Sequence, residues 1–458
     1  MVCSVMPICR INRAAGLLVT LILAITSAGA PADDIAPDLV RDSDLVVQIR
    51  YVGTMPVARP DGARPNLNSP IVIGPLLLLI DQQAAIYRWS GGRARPMLTL
   101  ADAPDGLTLD NRESILNVAG TRTAAYVLFT SSTLPDGSTF PVYASPHPSS
   151  HYQILYRYAL NGSRLVSVQP VAAFETQIGP AHRGGGMVPL PDGRLLLAIG
   201  DNLPNGVDGG TAPQQDASHV GKLLIVDPSD GSFEIAARGF RNPQRLSLVD
   251  TRGPARQLLD GSLTFMGLQE LAGTEGIVLA ISDIGGVTAE EINAIPLADL
   301  LDTASVENFG WGRNADGLAR EGTFYVAPGI PSAPNEPAAI GAAPQPEPGF
   351  RQPFAQFGRE EADRVAITGP VISRLSFGSI TAMFSDLDSG RLYATTSAST
   401  DQLNPVFRVT LINAAFRTTS LSTLAGGRPD PRFFLFPDGT AGVLLEATGA
   451  FYRLKQIR

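Results

Sequence analysis

The segment Pro191-Asp192-Gly193-Arg194-Leu195-Leu196-Leu197-Ala198-Ile199 places a tight turn directly before a short apolar run. Proline, aspartate and glycine favour turns, and a short apolar run bounded by turn residues is typical of a buried β-strand. The same unit returns later in the chain, at Asp388-Ser389-Gly390 and at Pro437-Asp438-Gly439. Repetition of a turn-and-strand unit predicts the blades of a β-propeller.

The rest of the chain follows the same rhythm, with short candidate strands separated by turn clusters and few stretches of helical period. We predict an all-β fold, a six-bladed β-propeller, because the chain after Ala32 divides into six units of about 70 residues, each long enough for four strands and a long loop. The first and last strands are expected to close one blade together. The proline-rich stretch 328–353 is expected to be a long surface loop between blades.

The first 32 residues have the pattern of a secretion signal. Arg10 and Arg13 precede the uncharged run at 14–26, which gives way to the small residues Ala30-Pro31-Ala32. The run is too short to cross a bilayer as a helix. We therefore expect cleavage after Ala32, a single propeller over 33–458, no membrane span, and a periplasmic or secreted protein.

Composition excludes several classes of function. Of the 458 residues, 44% are hydrophobic and 17% are charged, which is typical of a globular protein. Lys and Arg total 35 against 43 Asp and Glu, so the chain lacks the basic field that nucleic acid requires. Both cysteines, Cys3 and Cys9, precede the expected cleavage site. The mature chain would therefore have no thiol for a disulfide, a zinc site or a nucleophile.

A series of glycine-rich and polar motifs occurs between residues 181 and 311. In chain order they are Ala181-His182-Arg183-Gly184-Gly185-Gly186, Gly200-Asp201, Gln215-Asp216, Val220-Gly221-Lys222-Leu223-Leu224, Gly239-Phe240-Arg241-Asn242-Pro243-Gln244, Ser282-Asp283-Ile284-Gly285-Gly286, Glu291-Ile292-Asn293 and Asn308-Phe309-Gly310-Trp311. The series resembles the soluble quinoprotein glucose dehydrogenases and the aldose sugar dehydrogenases, the glucose/sorbosone dehydrogenase family. This resemblance implies a six-bladed propeller that uses pyrroloquinoline quinone (PQQ) and calcium.

The resemblance also implies roles for individual residues. It makes His182 the base that takes the proton of a sugar hydroxyl while hydride passes to the quinone, and imidazole titrates in the range that this step needs. It makes Arg241 the contact to the quinone carbonyls and Asn242 a positioning residue, and a guanidinium suits the negative charge of a reduced quinone. From the residues alone, His182 could instead cap a strand end and Arg241 could bridge two blades. Asp201 could orient the imidazole or simply cap its own loop.

The family holds the carboxylates of PQQ with a lysine and arginines from the last two blades, and holds calcium with backbone carbonyls. Here no lysine precedes the stretch 406–409, and Arg408, Arg428 and Arg432 are the cations available besides Arg241. A buried tricarboxylate needs cationic partners, so at least one of these three should face the same space as His182. The matching calcium ligands are the carbonyls of Gly285 and Gly286, with Ile284 where the family has a side-chain oxygen.

Two functions from different classes follow from these residues. The first is an exported oxidoreductase, a PQQ-type sugar dehydrogenase with a small-molecule sugar as substrate and an unidentified electron acceptor. The second is a propeller without cofactor that binds a carbohydrate or a protein partner. The missing lysine favours the second function, whereas His182 and the Arg241-Asn242 pair favour the first. A propeller lactonase would need a cluster of carboxylates around calcium, which the spacing does not supply.

Overall fold

The computed structural model describes residues 40–55, 65–135, 137–146, 149–162, 164–176, 182–202, 210–252, 256–257, 274–286, 288–313, 317–327, 338–342, 347–358 and 366–458. The expected secretion signal at 1–32 lies outside the described residues. Two N-terminal strands, β1 (Val40–Arg41) and β2 (Val46–Thr54), precede the first complete blade.

The strands form six blade sheets. Blade one contains β3 (Ile71–Ile73), β4 (Leu76–Asp81), β5 (Ala85–Ser90) and β6 (Arg93–Thr99); blade two contains β7 (Ile115–Gly120), β8 (Ala124–Ser131), β9 (Val142–Tyr143), β10 (His151–Asn161) and β11 (Arg164–Thr176). Blade three contains β12 (Gly184–Pro189), β13 (Leu195–Ile199), β14 (Lys222–Val226) and β15 (Phe233–Arg238); blade four begins with β16 (Pro243–Asp250), β17 (Arg256–Gln257), β18 (Ile277–Asp283) and β19 (Ala289–Pro296).

The chain then makes a long excursion before it completes blade four. The excursion contains helix α1 (Leu297–Leu301), β20 (Glu307–Asn308), β21 (Ala319–Glu321), β22 (Phe324–Ala327) and β23 (Ala338–Ala342), and β24 (Ala355–Gly358) then completes the blade. Blade five contains β25 (Ile367–Val371), β26 (Ala382–Asp386), β27 (Leu392–Thr395) and β28 (Val406–Arg408), with β1 at its outer edge. Blade six contains β29 (Thr410–Ile412), β30 (Thr418–Thr419), β31 (Pro431–Leu435), β32 (Ala441–Leu445), β33 (Ala450–Gln456) and β2; helix α2 (Leu421–Ala425) precedes β31.

The segment that predicted the fold shows why these residues form strands. Gly193 has a φ of 93° and donates its N–H to the carbonyl of Leu190 at 3.1 Å, which closes the turn. All five residues of β13 are buried, because the strand lies between β12 and β14 within the blade and between neighbouring blades on its two faces. A continuous apolar run is the sequence that such a doubly covered strand requires.

The innermost strand of each blade begins at the same end of the central channel, which we call the upper mouth. Hydrogen bonds join these beginnings around the ring. Asn68 Nδ2 donates to Leu116 O at 2.8 Å, Gly184 N to Asn242 Oδ1 at 3.0 Å, and Thr368 Oγ1 to Pro431 O at 2.7 Å. Residues that directly precede β3, β7, β12, β16, β25 and β31 therefore converge there.

Apolar clusters fill the interfaces between consecutive blades, and one of them joins the last blade to the first. In that cluster Leu77 and Leu79 of blade one pack with Phe434 and Phe451 of blade six. Blade six is itself closed by both ends of the chain, because β2 pairs antiparallel with β33, with Ile49 opposite Leu454. The predicted six-bladed propeller is confirmed. β2 and the last strand, β33, share one blade as expected, whereas the short first strand, β1, pairs with β28 at the edge of blade five.

The connection between β19 and β24 differs from the expected surface loop between blades. It lies within blade four, runs up the outside of blade three, where β20 pairs parallel with β15, and forms a small sheet from β21, β22 and β23. The prediction for 328–353 was therefore wrong in part, since Ala338–Ala342 is a strand. This strand consists of small residues around Ile340 and is flanked by Pro337 and Pro344, so the sequence shows no strand pattern there. Among the described residues, no helix is long and apolar enough to cross a membrane.

Candidate functional site

The structure brings His182 and Asp201 together at the upper mouth. His182 directly precedes β12, and Asp201 follows β13, its antiparallel neighbour, so both lie at the same end of one strand pair. His182 Nδ1 lies 2.9 Å from Asp201 Oδ1. The carboxylate side chain is 2% exposed and the imidazole is 17% exposed, so a ligand in the mouth can reach only the histidine. Of the two roles that the sequence left open for Asp201, the geometry is that of an orienting residue.

Trp311 holds the other oxygen of Asp201. Its indole Nε1 donates to Asp201 Oδ2 at 2.8 Å, and its side chain is buried. The tryptophan comes from the excursion of blade four, which delivers it to blade three between β20 and β21. The sequence indicated no role for Trp311, although the residue ends the quoted motif Asn308-Phe309-Gly310-Trp311. Its contact depends on a connection whose path the sequence does not specify.

Substitution of Trp311 by phenylalanine should destabilise the fold by about 1–3 kcal/mol, because a buried carboxylate oxygen loses its donor. The aromatic packing beside Arg241 would remain. Urea unfolding measures the effect.

The matched control is Trp89→Phe, at the only other tryptophan, a blade-one residue that packs edge-on against Phe451 of blade six. This variant leaves the contact between Trp311 and Asp201 intact and should be destabilised less. Equal destabilisation of the two variants would contradict the role of the Trp311 indole as the donor that holds Asp201.

The Arg241-Asn242 turn lies beside the histidine. Asp201 N donates to Arg241 O at 2.8 Å, and Asn242 Oδ1 accepts from Gly184 N at 3.0 Å. The turn is therefore bonded both to the strand that follows His182 and to the partner of its imidazole. The Arg241 guanidinium is buried and lies over the ring of Trp311, with Cζ 5.6 Å from the ring centroid. The predicted convergence of His182 with Arg241 and Asn242 at one mouth is what the structure shows.

A buried carboxylate pair supports this turn. Asp283 accepts the backbone N–H of Arg241 at 3.0 Å and that of Asn242 at 2.6 Å, and Glu291 stands opposite Asp283 in the sheet. Burial raises the pKa of Asp283, and the charge of Glu291 raises it further. Burial likewise raises the pKa of Glu291 from 4.5 to about 7. The sequence indicated no role for Asp283 either, although it lies in the quoted motif before Ile284.

The raised pKa of Glu291 predicts a loss of stability as pH rises. A carboxyl whose pKa is higher in the folded state binds more protons when folded, so stability is full below pH 4.5 and falls between about pH 4.5 and 7. One proton gives a slope of about 1.4 kcal/mol per pH unit. Glu291→Gln should flatten this slope in urea unfolding series, whereas the exposed Glu234→Gln should not. An unchanged slope in Glu291→Gln would show that another group causes the pH dependence of stability.

The three arginines predicted for the quinone carboxylates lie in different places. Arg408 lies on β28, the fourth strand of blade five, where its side chain is 42% exposed and pairs with Asp42 at 2.7 Å. It therefore lies on the outside of the propeller, away from His182. The sequence predicts a strand at this position but not the depth of that strand in the sheet.

Arg428 and Arg432 lie nearer the upper mouth. Arg428 is 55% exposed and pairs with Asp388 and Asp430. Arg432 is mostly buried at the start of β31, where it pairs with Glu446 at 2.6 Å and donates from Nε to the carbonyl of Leu67. Burial raises the pKa of Glu446, and the charge of Arg432 lowers it.

Another buried arginine lies beside the histidine. Arg183 pairs with Asp110 at 3.0 Å and with Glu113 at 2.9 Å. Among the described residues at the mouth, Arg183, Arg428 and Arg432 each pair with carboxylates of the protein. As placed, these residues do not fit a tricarboxylate such as PQQ, because its charge would have to displace acidic partners from all three arginines, two of which are largely buried.

One of the two calcium ligands implied by the resemblance, the carbonyl of Gly285, is also engaged. Arg241 Nη1 donates to the carbonyl of Ile284 at 3.1 Å and to that of Gly285 at 2.7 Å. A side chain at Gly286 would meet Glu321 and Arg241, so this glycine lies in the same space. No group of three or more His, Cys, Asp or Glu in the described part of the chain is placed to hold a metal. The residues present therefore do not fit a calcium ion at this turn.

Comparison with solved structures supports the architecture. The chain is similar to a crystal structure described as a "putative oxidoreductase (glucose dehydrogenase)" from Thermus thermophilus, with 16% identity, a TM-score of 0.51, and coverage of 90% of this chain and 99% of that one. BamB from Moraxella catarrhalis matches at 11% identity and a TM-score of 0.32, over 89% and 97% of the two chains. At these identities the first likeness shows the fold alone, and the second carries no argument. No family model and no curated protein matches.

Proposed function

We propose that this chain is an exported propeller oxidoreductase that acts on a hydroxyl group of a sugar, with His182 as the proton acceptor. The observation that carries this proposal is the chain of contacts from His182 to Asp201 and from Asp201 to Trp311. A binding surface has no need of an imidazole held by a buried carboxylate. A proton-abstracting centre does need one, because the orientation and tautomer of the base must be fixed.

The chemistry of this centre follows from its hydrogen bonds. Asp201 Oδ1 bonded to Nδ1 keeps the proton of the neutral ring on Nδ1, so the lone pair is on Nε2. A sugar hydroxyl in the mouth donates a hydrogen bond to Nε2 and transfers its proton there. The hydride of the same carbon must pass to a separate two-electron acceptor, which in the assay is a quinone or a dye. The carboxylate then stabilises the imidazolium, as in other His–Asp pairs. Trp311 keeps Asp201 from turning away during this step.

We assign residues to the proton transfer and none to the binding of the hydride acceptor. The described residues do not fit PQQ with calcium, so no step is assigned to that pair, and PQQ serves only as a probe in the assay. The sugar as substrate class comes from the sequence resemblance, and the propeller scaffold similar to the Thermus structure is compatible with it. Fold alone does not fix a substrate, and the assay must supply it.

A dye-reduction assay over a panel of aldoses tests the proposal. The purified protein is assayed with and without added PQQ, and sugar binding is measured in parallel by calorimetry. We expect turnover with at least one aldose that also binds. Binding of a sugar with no turnover under any condition would contradict the oxidoreductase and support the second candidate.

That second candidate is a propeller that binds a carbohydrate or a protein without chemistry. The observation in its favour is that Arg183, Arg428 and Arg432 pair with carboxylates of the protein. Such a mouth presents hydroxyl-binding groups of both charges rather than an excess of cations. Hydroxyl groups accept from guanidinium and donate to carboxylate, so a sugar suits this lining.

Export is part of the proposal and has its own test. The pattern at residues 10–32 predicts removal of a signal, and the mature protein recovered from outside the cytoplasm should then begin at Asp33. Intact-mass measurement of that protein checks the position. A mass that includes residues 1–32 would contradict the cleavage, and recovery of the protein from the cytoplasm alone would contradict periplasmic or secreted localisation.

A further inference from the structure

We infer that the guanidinium of Arg241 is the resident cation of the turn at Ile284-Gly285, and that this mouth works without a calcium ion. The inference rests on the geometry of the turn and does not depend on the proposed sugar chemistry. It concerns the same space in which the family that the sequence resembles holds its metal.

Two carbonyl oxygens converge on one nitrogen of the arginine. Nη1 lies 3.1 Å from Ile284 O and 2.7 Å from Gly285 O. Backbone carbonyls that converge in this way are ligands for a hard cation, and here a guanidinium supplies the positive charge. The arginine is buried, and its planar group lies over the ring of Trp311, so the position of the guanidinium is fixed.

Carboxylates hold the turn in this shape by accepting its backbone N–H groups. Glu290 Oε2 accepts from Gly285 N at 3.2 Å. Glu321 Oε1 accepts from the N–H groups of Thr288 and Ala289, each at 3.0 Å. Gly285 itself leaves no space for a side chain, because a Cβ there would overlap the carbonyl of Ala289. The two carbonyls are therefore presented toward Arg241 by a rigid, preformed turn.

A divalent ion cannot join the guanidinium at these oxygens. A calcium ion bound to both oxygens would lie close to the guanidinium, and the mutual repulsion of the two cations in a buried site would be large. An arginine is permanently charged at any physiological pH, whereas a bound calcium depends on the ion concentration around the protein. The mouth should therefore keep its geometry when divalent ions are removed.

Thermal unfolding in the presence of EDTA, calcium or methylguanidinium tests this inference. The wild type should show the same Tm, within about 1 °C, in EDTA and in millimolar calcium. Arg241→Ala removes the cation from two oriented carbonyls and should lower the Tm. Methylguanidinium, calcium or both should then raise the Tm of this variant by at least about 2 °C, as expected for a ligand that binds only the folded state.

Two further variants keep the test decisive. Arg241→Lys retains a cation and should fold and ignore calcium, which covers the case in which Arg241→Ala does not fold. Arg157→Ala removes an arginine on blade two whose Nη1 donates to the Gln169 amide oxygen at 3.3 Å, and it should respond to neither additive. A saturable rise of the Tm with calcium in the wild type or in Arg241→Lys would overturn the inference. So would a folded Arg241→Ala that responds to neither cation.

These readouts separate this inference from the sugar chemistry. Tm values report the turn whether or not any aldose is oxidised. Failure of the dye-reduction assay with an unchanged wild-type Tm in calcium would remove the oxidoreductase and leave the arginine as the resident cation. A calcium-dependent wild type that oxidises an aldose would do the reverse.

Discussion

Replacing His182 by glutamine should lower sugar turnover by about 100- to 10,000-fold, the usual contribution of a general base. Glutamine can still donate a hydrogen bond to Asp201 Oδ1, so the neighbouring strand ends should stay in place. It cannot accept the proton of a hydroxyl group at neutral pH. The affinity for the sugar, measured by calorimetry, should therefore change by no more than a few-fold.

His151→Gln is the matched control for this experiment. His151 is half-buried at the start of β10, and its substitution makes the same chemical change on another blade. Its turnover should equal that of the wild type. A His182→Gln protein that retains wild-type turnover would remove the base from the proposal, whereas a loss of binding without a loss of kcat would make His182 a binding residue only.

Replacing Gly200 by alanine should destabilise the fold by about 3 kcal/mol or more and abolish turnover as well. A Cβ at this position would overlap the carbonyl oxygen of His182 and would lie 2.9 Å from the carbonyl of Arg241. Those two carbonyls already accept the N–H groups of Asn202 and Asp201. The added methyl group would push His182 and the Arg241 turn apart, because the hydrogen bonds of both carbonyls hold the two backbones in place.

Gly378→Ala provides the comparison for this effect. An added Cβ there would meet nothing nearer than Gln456 Oε1 at 3.9 Å. Its free energy of unfolding in urea should match that of the wild type within about 0.5 kcal/mol. A Gly200→Ala protein as stable as Gly378→Ala would show that the two carbonyls are not packed as described.

The architecture could be predicted from the sequence because each blade repeats a local signal. The turn at Pro191–Gly193 and the apolar run after it are specified by neighbouring residues, and β13 forms where this pattern predicts it. His182 and Asp201 could be predicted to lie close together for the same reason, because they flank one pair of adjacent antiparallel strands at the same end. Within one hairpin, the number of residues between two positions predicts whether their side chains lie close together.

Contacts between distant segments could not be predicted in the same way. Trp311 reaches Asp201 only because the excursion of blade four runs along blade three, and nothing in the spacing indicates that path. Arg408 was predicted as a cofactor contact because the sequence does not show that its strand, β28, lies on the outer side of the blade. Whether Arg241 faces a ligand or a carbonyl turn depends on the shape of the loop at Ile284-Gly285, which the residue types alone leave open.

The shared blade also sets the order in which the molecule can be completed during synthesis. β2 is made early, yet its neighbours β33 and β29 both come from the C-terminal part of the chain. Until they arrive, the N–H and C=O groups of both its edges stay unpaired and the apolar side chains of Val47 and Ile49 stay uncovered, a template for pairing with other chains. A nascent chain that stops before Ala450 would leave the ring open. The last strand to be translated therefore completes β2, one of the first to be made, and premature termination near the C-terminus should yield aggregates rather than a shortened propeller.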